Sequence, residues 1–291
     1  MELDKTTIRG RLLKQVKRLA ILLLIITGLP LFVIIGCQSK LIYHPRSYAA
    51  GTVAQWQRET QGQPINFHTS QGNQRAFLQG NLKSPKNLWI LCGGNGTVAL
   101  DWARWIKDNA PSEDAWLLFD FPGYGDCKGA ATSARIHESL KKVVPLVCKK
   151  LGWSERSDPQ RLRFFGHSLG AAACLIAASE FHIQNGVLIA PFTSTMEMAQ
   201  HLFGMPVGML VRDRFDNLAR LNELAARGAG SVVIFHGTED EVIPFSMSQK
   251  LKVLQSRVID LRAIPGGRHN DMQEKHTDDI AAALRQIGNL Q

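Results

Sequence analysis

The sequence predicts an α/β fold, a mostly parallel central sheet with helices on both faces, and three observations carry that prediction. From residue 87 onward, short apolar runs alternate with longer helix-patterned stretches. Parallel strands produce this pattern because each crossover between them needs a connection of helix length. One apolar run, Leu162–Phe165, passes through Gly166-His167-Ser168-Leu169-Gly170 into the alanine-rich Ala171–Cys174: a strand, a tight turn and a helix. Two later runs, Val232–Phe235 and Val258–Ile264, end in an acidic turn and in a glycine-rich loop bearing a histidine. Reactive groups thus gather after strands, at the carboxyl edge where open α/β sheets hold their ligands.

The chain begins with a basic flank, Lys5, Arg9, Arg11, Lys14, Lys17 and Arg18, followed by an apolar run from Leu19 to Ile35 broken only by Thr27, Gly28 and Pro30. That length lies at the lower edge for a membrane span and is long for a signal-peptide core. The run ends in Ile34-Ile-Gly-Cys37-Gln-Ser39, which resembles the lipobox of bacterial lipoproteins, a resemblance that implies cleavage before Cys37 and lipid on its thiol. An uncleaved signal anchor is the alternative, and a buried core helix the third reading, disfavoured by the basic flank. Both leading readings put residues 1–40 at a membrane and residues 41–291 outside the cytoplasm as one domain.

The net charge of +9 on 291 residues is largely accounted for by that flank. No basic stripe interleaved with aromatic residues appears elsewhere, which excludes a nucleic-acid partner as the reading of the charge. With 45% hydrophobic and 20% charged residues, the chain is ordinary for a protein with a substantial core. Apart from Cys37 the cysteines are Cys92, Cys127, Cys148 and Cys174, without the close pairing of zinc sites. Cys92 and Cys174 sit in apolar surroundings and read as buried thiols.

Taken in order, Lys40–Ala50 links the anchor to the domain. Gln63–Thr69 and Ala76–Leu82 read as a hairpin at the sheet edge, joined by the polar turn Ser70–Asn73. Strands are expected at Asn87–Leu91, Trp116–Phe119, Leu162–Phe165, Gly186–Ile189, Val232–Phe235 and Val258–Ile264. Helices are expected from Leu100–Lys107, from about Thr132 to Leu151, after Ser168, and at Asp278–Ile287. An insertion at about residues 192–230 follows the strand at Gly186–Ile189.

The turn Gly166–Gly170 has the Gly-x-Ser-x-Gly pattern of a nucleophile elbow. Only small flanking residues permit the strained backbone that lifts Ser168 clear of the sheet, and the helix behind it offers free amides and a favourable dipole. A serine hydroxyl attacks well only when a base takes its proton, and imidazole is the apt base near neutral pH. In the order nucleophile, acid, histidine, both partners lie C-terminal to the serine. His236-Gly-Thr-Glu239-Asp240-Glu241 supplies three acids after a strand, and position alone does not choose among them. Gly266-Gly-Arg-His269 supplies the histidine on a small-residue loop that lets the imidazole reach back.

On these residues the chain resembles an α/β-hydrolase, and within that superfamily the Bem46-like branch of membrane-tethered serine hydrolases. The matching stretches are Leu41-Ile-Tyr-His-Pro45, Asp120-Phe-Pro-Gly-Tyr-Gly125, Gly166–Gly170, Ala190-Pro-Phe-Thr-Ser194, Arg212-Asp-Arg-Phe-Asp-Asn217, His236–Phe245 and Gly266–His269. The resemblance implies Ser168 as nucleophile, His269 as base and Asp240 as the acid that orients it. It also implies an oxyanion hole from the amide of Leu169 and one from the Gly94–Asn95 loop. That branch usually carries His-Gly-Asn after its third strand; here Cys92-Gly-Gly-Asn-Gly96 stands instead.

Acyl transfer of this kind needs no metal or organic cofactor, and no ligand cluster for a metal is visible. The expected partners are a small-molecule or lipid acyl substrate and a membrane. The resemblance implies a small cap at about residues 192–230, and that insertion holds Met196, Met198, Leu202, Phe203, Met205, Val207, Met209, Leu210 and Val211. These either receive an adaptable apolar acyl chain or pack the cap onto the sheet. Three functions follow: an ester, thioester or lipid hydrolase, a serine peptidase on the same residues, or a binding module on a hydrolase scaffold.

Overall fold

The structure, a computed structural model, describes residues 5–36, 38–204, 207–228 and 230–290. It begins with helices α1 (Lys5–Gly36), α2 (Gln38–Ile42) and α3 (Thr52–Thr60), then strands β1 (Gln63–Thr69), β2 (Gly72–Gly80) and β3 (Leu88–Cys92). Helix α4 (Ala103–Asn109), β4 (Ala115–Phe119), α5 (Ser133–Lys150), β5 (Leu162–His167), α6 (Leu169–Glu180) and β6 (Asn185–Ile189) follow. Helices α7 (Thr195–Phe203) and α8 (Asn217–Ala226) lie between β6 and β7 (Ser231–Gly237). The chain closes with α9 (Phe245–Leu254), β8 (Ile259–Ile264), α10 (Met272–Lys275) and α11 (Thr277–Gly288).

The strands form one eight-stranded sheet in the order β1-β2-β4-β3-β5-β6-β7-β8. β2 pairs antiparallel with both β1 and β4, and every other pair is parallel. The expected α/β architecture is therefore the observed one. Both faces of the sheet are covered, so β3, β4 and β6 are buried at every position and read as continuous apolar runs. Leu88 and Ile90 of β3 join one core with α5 and α6, while Trp89 and Leu91 join a second core with α11 on the opposite face. The rings of Trp89 and Trp116, partners across β3 and β4, stack at 5.0 Å.

Two local expectations change. The hairpin turn is shorter than its polar composition suggests, because Gly72 takes φ +98° and pairing resumes at once with Thr69 opposite Gly72. The N-terminal run is a helix whose described apolar side chains from Leu12 to Ile26 stand exposed, so the core-helix reading does not hold. Among the described residues, no helix is long and apolar enough to cross a membrane. Cys37 lies outside the described residues, and a boundary drawn after residue 40 falls inside α2.

Candidate active site

The site forms where β5, β7 and β8 end. Ser168 follows directly after β5, and its amide donates to Ile189 O of β6 at 2.8 Å, which fixes the turn against the neighbouring strand. Its backbone takes φ 55° and ψ −119°, a strained state for a residue with a side chain. The glycines make that state possible in different ways. A Cβ on Gly166 would lie 2.7 Å from Ala171 Cα, inside the elbow, whereas one on Gly170 would lie 2.0 Å from Cys92 O, against the end of β3.

Ser168 Oγ lies 3.0 Å from His269 Nε2, and His269 Nδ1 lies 2.8 Å from Asp240 Oδ2. Nδ1 faces a carboxylate and so carries the proton, which leaves Nε2 to accept from the serine hydroxyl. The acidic turn and the histidine loop lean on each other. Glu239 N donates to Gly267 O at 3.1 Å, and a Cβ on Gly237 would sit 2.1 Å from that same oxygen. Of the three acids in the turn, Asp240 points inward with a fully buried side chain. Glu239 is exposed, and Glu241 accepts from the His269 amide at 3.4 Å.

Asp240 has more partners than the sequence suggests. Its Oδ1 accepts from the amides of Val242 and Ile243 at 2.9 and 2.7 Å. Its Oδ2 lies 3.2 Å from Nε2 of the fully buried His236. Burial pushes the carboxyl up, but the hydrogen bonds from His236, His269 and the Ile243 amide outweigh burial and hold it below the usual carboxylate range. It therefore stays charged beside the imidazole. His236 also faces Ile243 O at 2.9 Å and Ser248 Oγ at 2.6 Å. With two oxygens before Nε2, that nitrogen holds the proton. The signal available in the sequence was a histidine ending the strand just before the acidic turn.

His167 supports the histidine loop from the other side. Its Nε2 lies 3.1 Å from His269 O, and the two rings sit 5.0 Å apart. Burial, then the neighbouring His269, lower His167 to about 4, so near neutral pH it is an uncharged donor.

Leu169 opens α6, and the first amides of a helix have no partner within it. Gly94 lies against the nucleophile turn, where a Cβ would stand 2.9 Å from His167 Nδ1 and 3.6 Å from Ser168 Cβ. Glycine also suits position 93, where a Cβ would meet Thr97 Oγ1 at 2.5 Å. Asn95 borders the same space, and its side chain binds Ile42 O at 2.6 Å and Tyr124 Oη at 2.8 Å.

Beside Ser168 opens a cavity of about 360 Å³. The cap residues Met198, Leu202, Phe203, Leu210 and Val211 line it, together with Phe192 and Ile243. Met196 and Met209 are exposed and are not among its lining residues. Met205 and the side chain of Val207 lie outside the described residues. The Arg212–Asn217 stretch is held in part by side-chain bonds to the backbone. Asp216 caps α8 through Ala219 N at 2.9 Å, and Asn217 Nδ2 donates to Phe192 O at 2.8 Å. Cys92, Cys127, Cys148 and Cys174 are all buried free thiols.

This fold is that of the α/β-hydrolases. The chain superposes on the Pyrococcus furiosus esterase Pf2001 with a TM-score of 0.62 at 16% identity, over 85% of this chain and 100% of that one. Thermogutta terrifontis esterase 2 gives 0.57 at 14% identity, over 79% and 96%. By sequence it is 30% identical over 156 residues to an uncharacterised protein of Mycobacterium tuberculosis, covering 53% of each chain. It is 26% identical over 155 residues to the human alpha/beta hydrolase domain-containing protein 17B, covering 53% of this chain and 50% of that protein. The chain spans about half the length of the curated relatives it matches. No protein-family model matches it. These likenesses show the α/β-hydrolase fold.

Proposed function

We propose that this chain is a serine hydrolase that cleaves carboxylic ester, thioester or lipid acyl bonds, of the Bem46-like kind and held at a membrane by its N-terminal segment. The observation that carries the reading is the continuous hydrogen-bonded line Ser168–His269–Asp240 opening on an apolar cavity. His269 Nε2 takes the Ser168 proton as Oγ bonds to the substrate carbonyl carbon. Asp240 keeps the tautomer and steadies the imidazolium. The negative oxygen of the tetrahedral intermediate is met by amides of Leu169 and the Gly94–Asn95 loop, a kind of donor whose loss typically costs about 3 kcal/mol. His269 then gives the proton to the leaving alcohol or thiol, and water, deprotonated by the same imidazole, releases the acid.

The cavity favours an acyl substrate over a peptide. Among the described residues that line it, none is an Asp or Glu that could hold a free amino terminus. Membrane tethering rests on the basic flank, the exposed apolar side chains of α1 and the lipobox-like sequence at Cys37. With the basic flank kept in the cytoplasm, the proposal has the hydrolase domain outside it, either as a lipoprotein or on a signal anchor.

A panel of nitrophenyl acyl esters, acyl thioesters and aminoacyl amides tests the reading. The expected result is turnover of esters or thioesters, reduced by at least about 10³-fold in Ser168→Ala. Turnover confined to the amides would transfer the site to the peptidases.

A further inference from the structure

One wall of the cavity comes from neither the sheet nor the cap. Gln38, Leu41, Ile42 and His44 line it, from α2 and the two residues that follow. We infer that residues 38–44 are a strap that completes an aliphatic acyl-chain site and determines the length of chain accepted, an inference that rests on the acyl-hydrolase reading of the same site.

The strap is fastened at both ends. Toward the cap, Gln38 uses both ends of its amide: Nε2 donates to Leu210 O at 2.8 Å, and Oε1 accepts from Arg212 N at 2.8 Å. Tyr43 Oη donates to Asp213 Oδ2, whose other oxygen accepts from Ser133 N at the start of α5. Toward the sheet, Asn95 holds Ile42 O through Nδ2 and accepts from His44 N at 2.9 Å. The strap thus bridges the cap and the very loop that borders Ser168. A passive linker has no need of paired side-chain bonds to a backbone 172 residues away.

With those polar groups spent on protein, the strap presents Leu41 and Ile42 to the cavity. Phe192, Met198, Leu202 and Val211 are also in its lining, and among the described lining residues there is no Asp, Glu, Lys or Arg. Such a space suits hydrocarbon, with the reacting carbonyl at the Ser168 end and the chain running between cap and strap. Its volume is at the small end of the range for ligand pockets, about 300–1,000 Å³, so it takes a chain longer than acetyl and leaves little room for a bulky polar group. Removal of the strap with the N-terminal helix would open this wall and take from Asn95 its bonds to Ile42 O and His44 N.

Two readouts on the full-length protein decide the matter. In the first, kcat/KM is compared for the nitrophenyl esters of octanoate and acetate. Leu41→Trp fills the cavity from the strap side, and Gln38→Ala releases the cap end. The octanoate-to-acetate ratio is expected to fall about tenfold in Leu41→Trp and several-fold in Gln38→Ala, with melting curves confirming that both variants fold. In the second, octanoate binding is titrated calorimetrically on Ser168→Ala with and without Leu41→Trp, and the added substitution is expected to weaken it severalfold. A ratio unchanged within about twofold in both variants, or octanoate binding indifferent to Leu41→Trp, overturns the strap. If the wild type turns over neither esters nor thioesters, the hydrolase reading fails. The binding titration then still decides whether the strap walls an acyl site.

Discussion

The residue whose backbone does most here is Ser168, held at positive φ with its amide bonded to β6. The strain is sustained by neighbours that could hardly be other than glycine. Gly170 is the sharper case: its missing Cβ would fall 2.0 Å from a carbonyl oxygen of β3, and a main-chain oxygen inside a sheet cannot swing aside as a flexible side chain can. Gly170→Ala is therefore expected to lower the unfolding free energy by about 2 kcal/mol or more, measured by urea denaturation. An alanine variant as stable as wild type would show that the elbow has room to shift. Ser168 and His269 were legible from residue type and order along the chain. Asp240 was not separable from Glu239 and Glu241 by position. Only the resemblance singled it out, and the packing gives the physical distinction: one carboxylate turned inward to four donors, with its two neighbours left outside.

At the scale of elements, the strands were the easiest to read because each is a short apolar run bounded by polar turns. Most of their edges shifted by a residue or two, and the start of β2 by four, from Ala76 to Gly72, where pairing, rather than hydropathy, sets the end. The β1–β2 turn shows why: four polar residues looked like a loop, but two of them, Gly72 and Asn73, pair with Thr69 and His68. Helix α3 went unread because its amphipathic signal is nearly a single residue. Trp56 is buried, donates to Gln79 Oε1 at 2.7 Å and meets Phe77 edge-on at 5.0 Å. Helix α2 is shorter still, and its role rests on contacts with the cap and with the loop after β3, which no local pattern encodes. His236 belongs to the same group. A histidine at a strand end has no local mark of its partners, and the ones that matter, Asp240 and Ser248, meet it only after β7, the acidic turn and α9 have packed.

For the molecule as a whole, the sheet supports one edge rich in chemistry and another that holds the layers together. At the opposite edge, buried Asp114 binds Trp89 and Asn87, and Arg163 reaches Ile287 O to hold α11 against the sheet. Nearer the site, Asp120 follows directly after β4, accepting from Tyr48 Oη at 2.5 Å and the Ala99 amide at 2.7 Å. Burial raises its carboxyl to about 7, against those two hydrogen bonds, whereas in the unfolded chain it titrates near ~4. The folded state thus holds an extra proton between those values. The stability this provides is full below the unfolded value and is lost as pH rises through about 7. The gap in unfolding free energy between wild type and Asp120→Asn is accordingly expected to be about 2 kcal/mol larger at pH 5 than at pH 8. Equal gaps at the two pH values would mean that the folded carboxyl is ionised throughout.

The central claim is that His269 and Asp240 make Ser168 nucleophilic, and covalent labelling tests it most directly. The full-length protein, strap in place, is treated with a fluorophosphonate probe beside Ser168→Ala and His269→Ala. Rapid labelling of the wild type is expected, with none in Ser168→Ala and labelling slowed by at least about 10²-fold in His269→Ala. Folded wild type that stays unlabelled, or labelling that survives in Ser168→Ala, would contradict it.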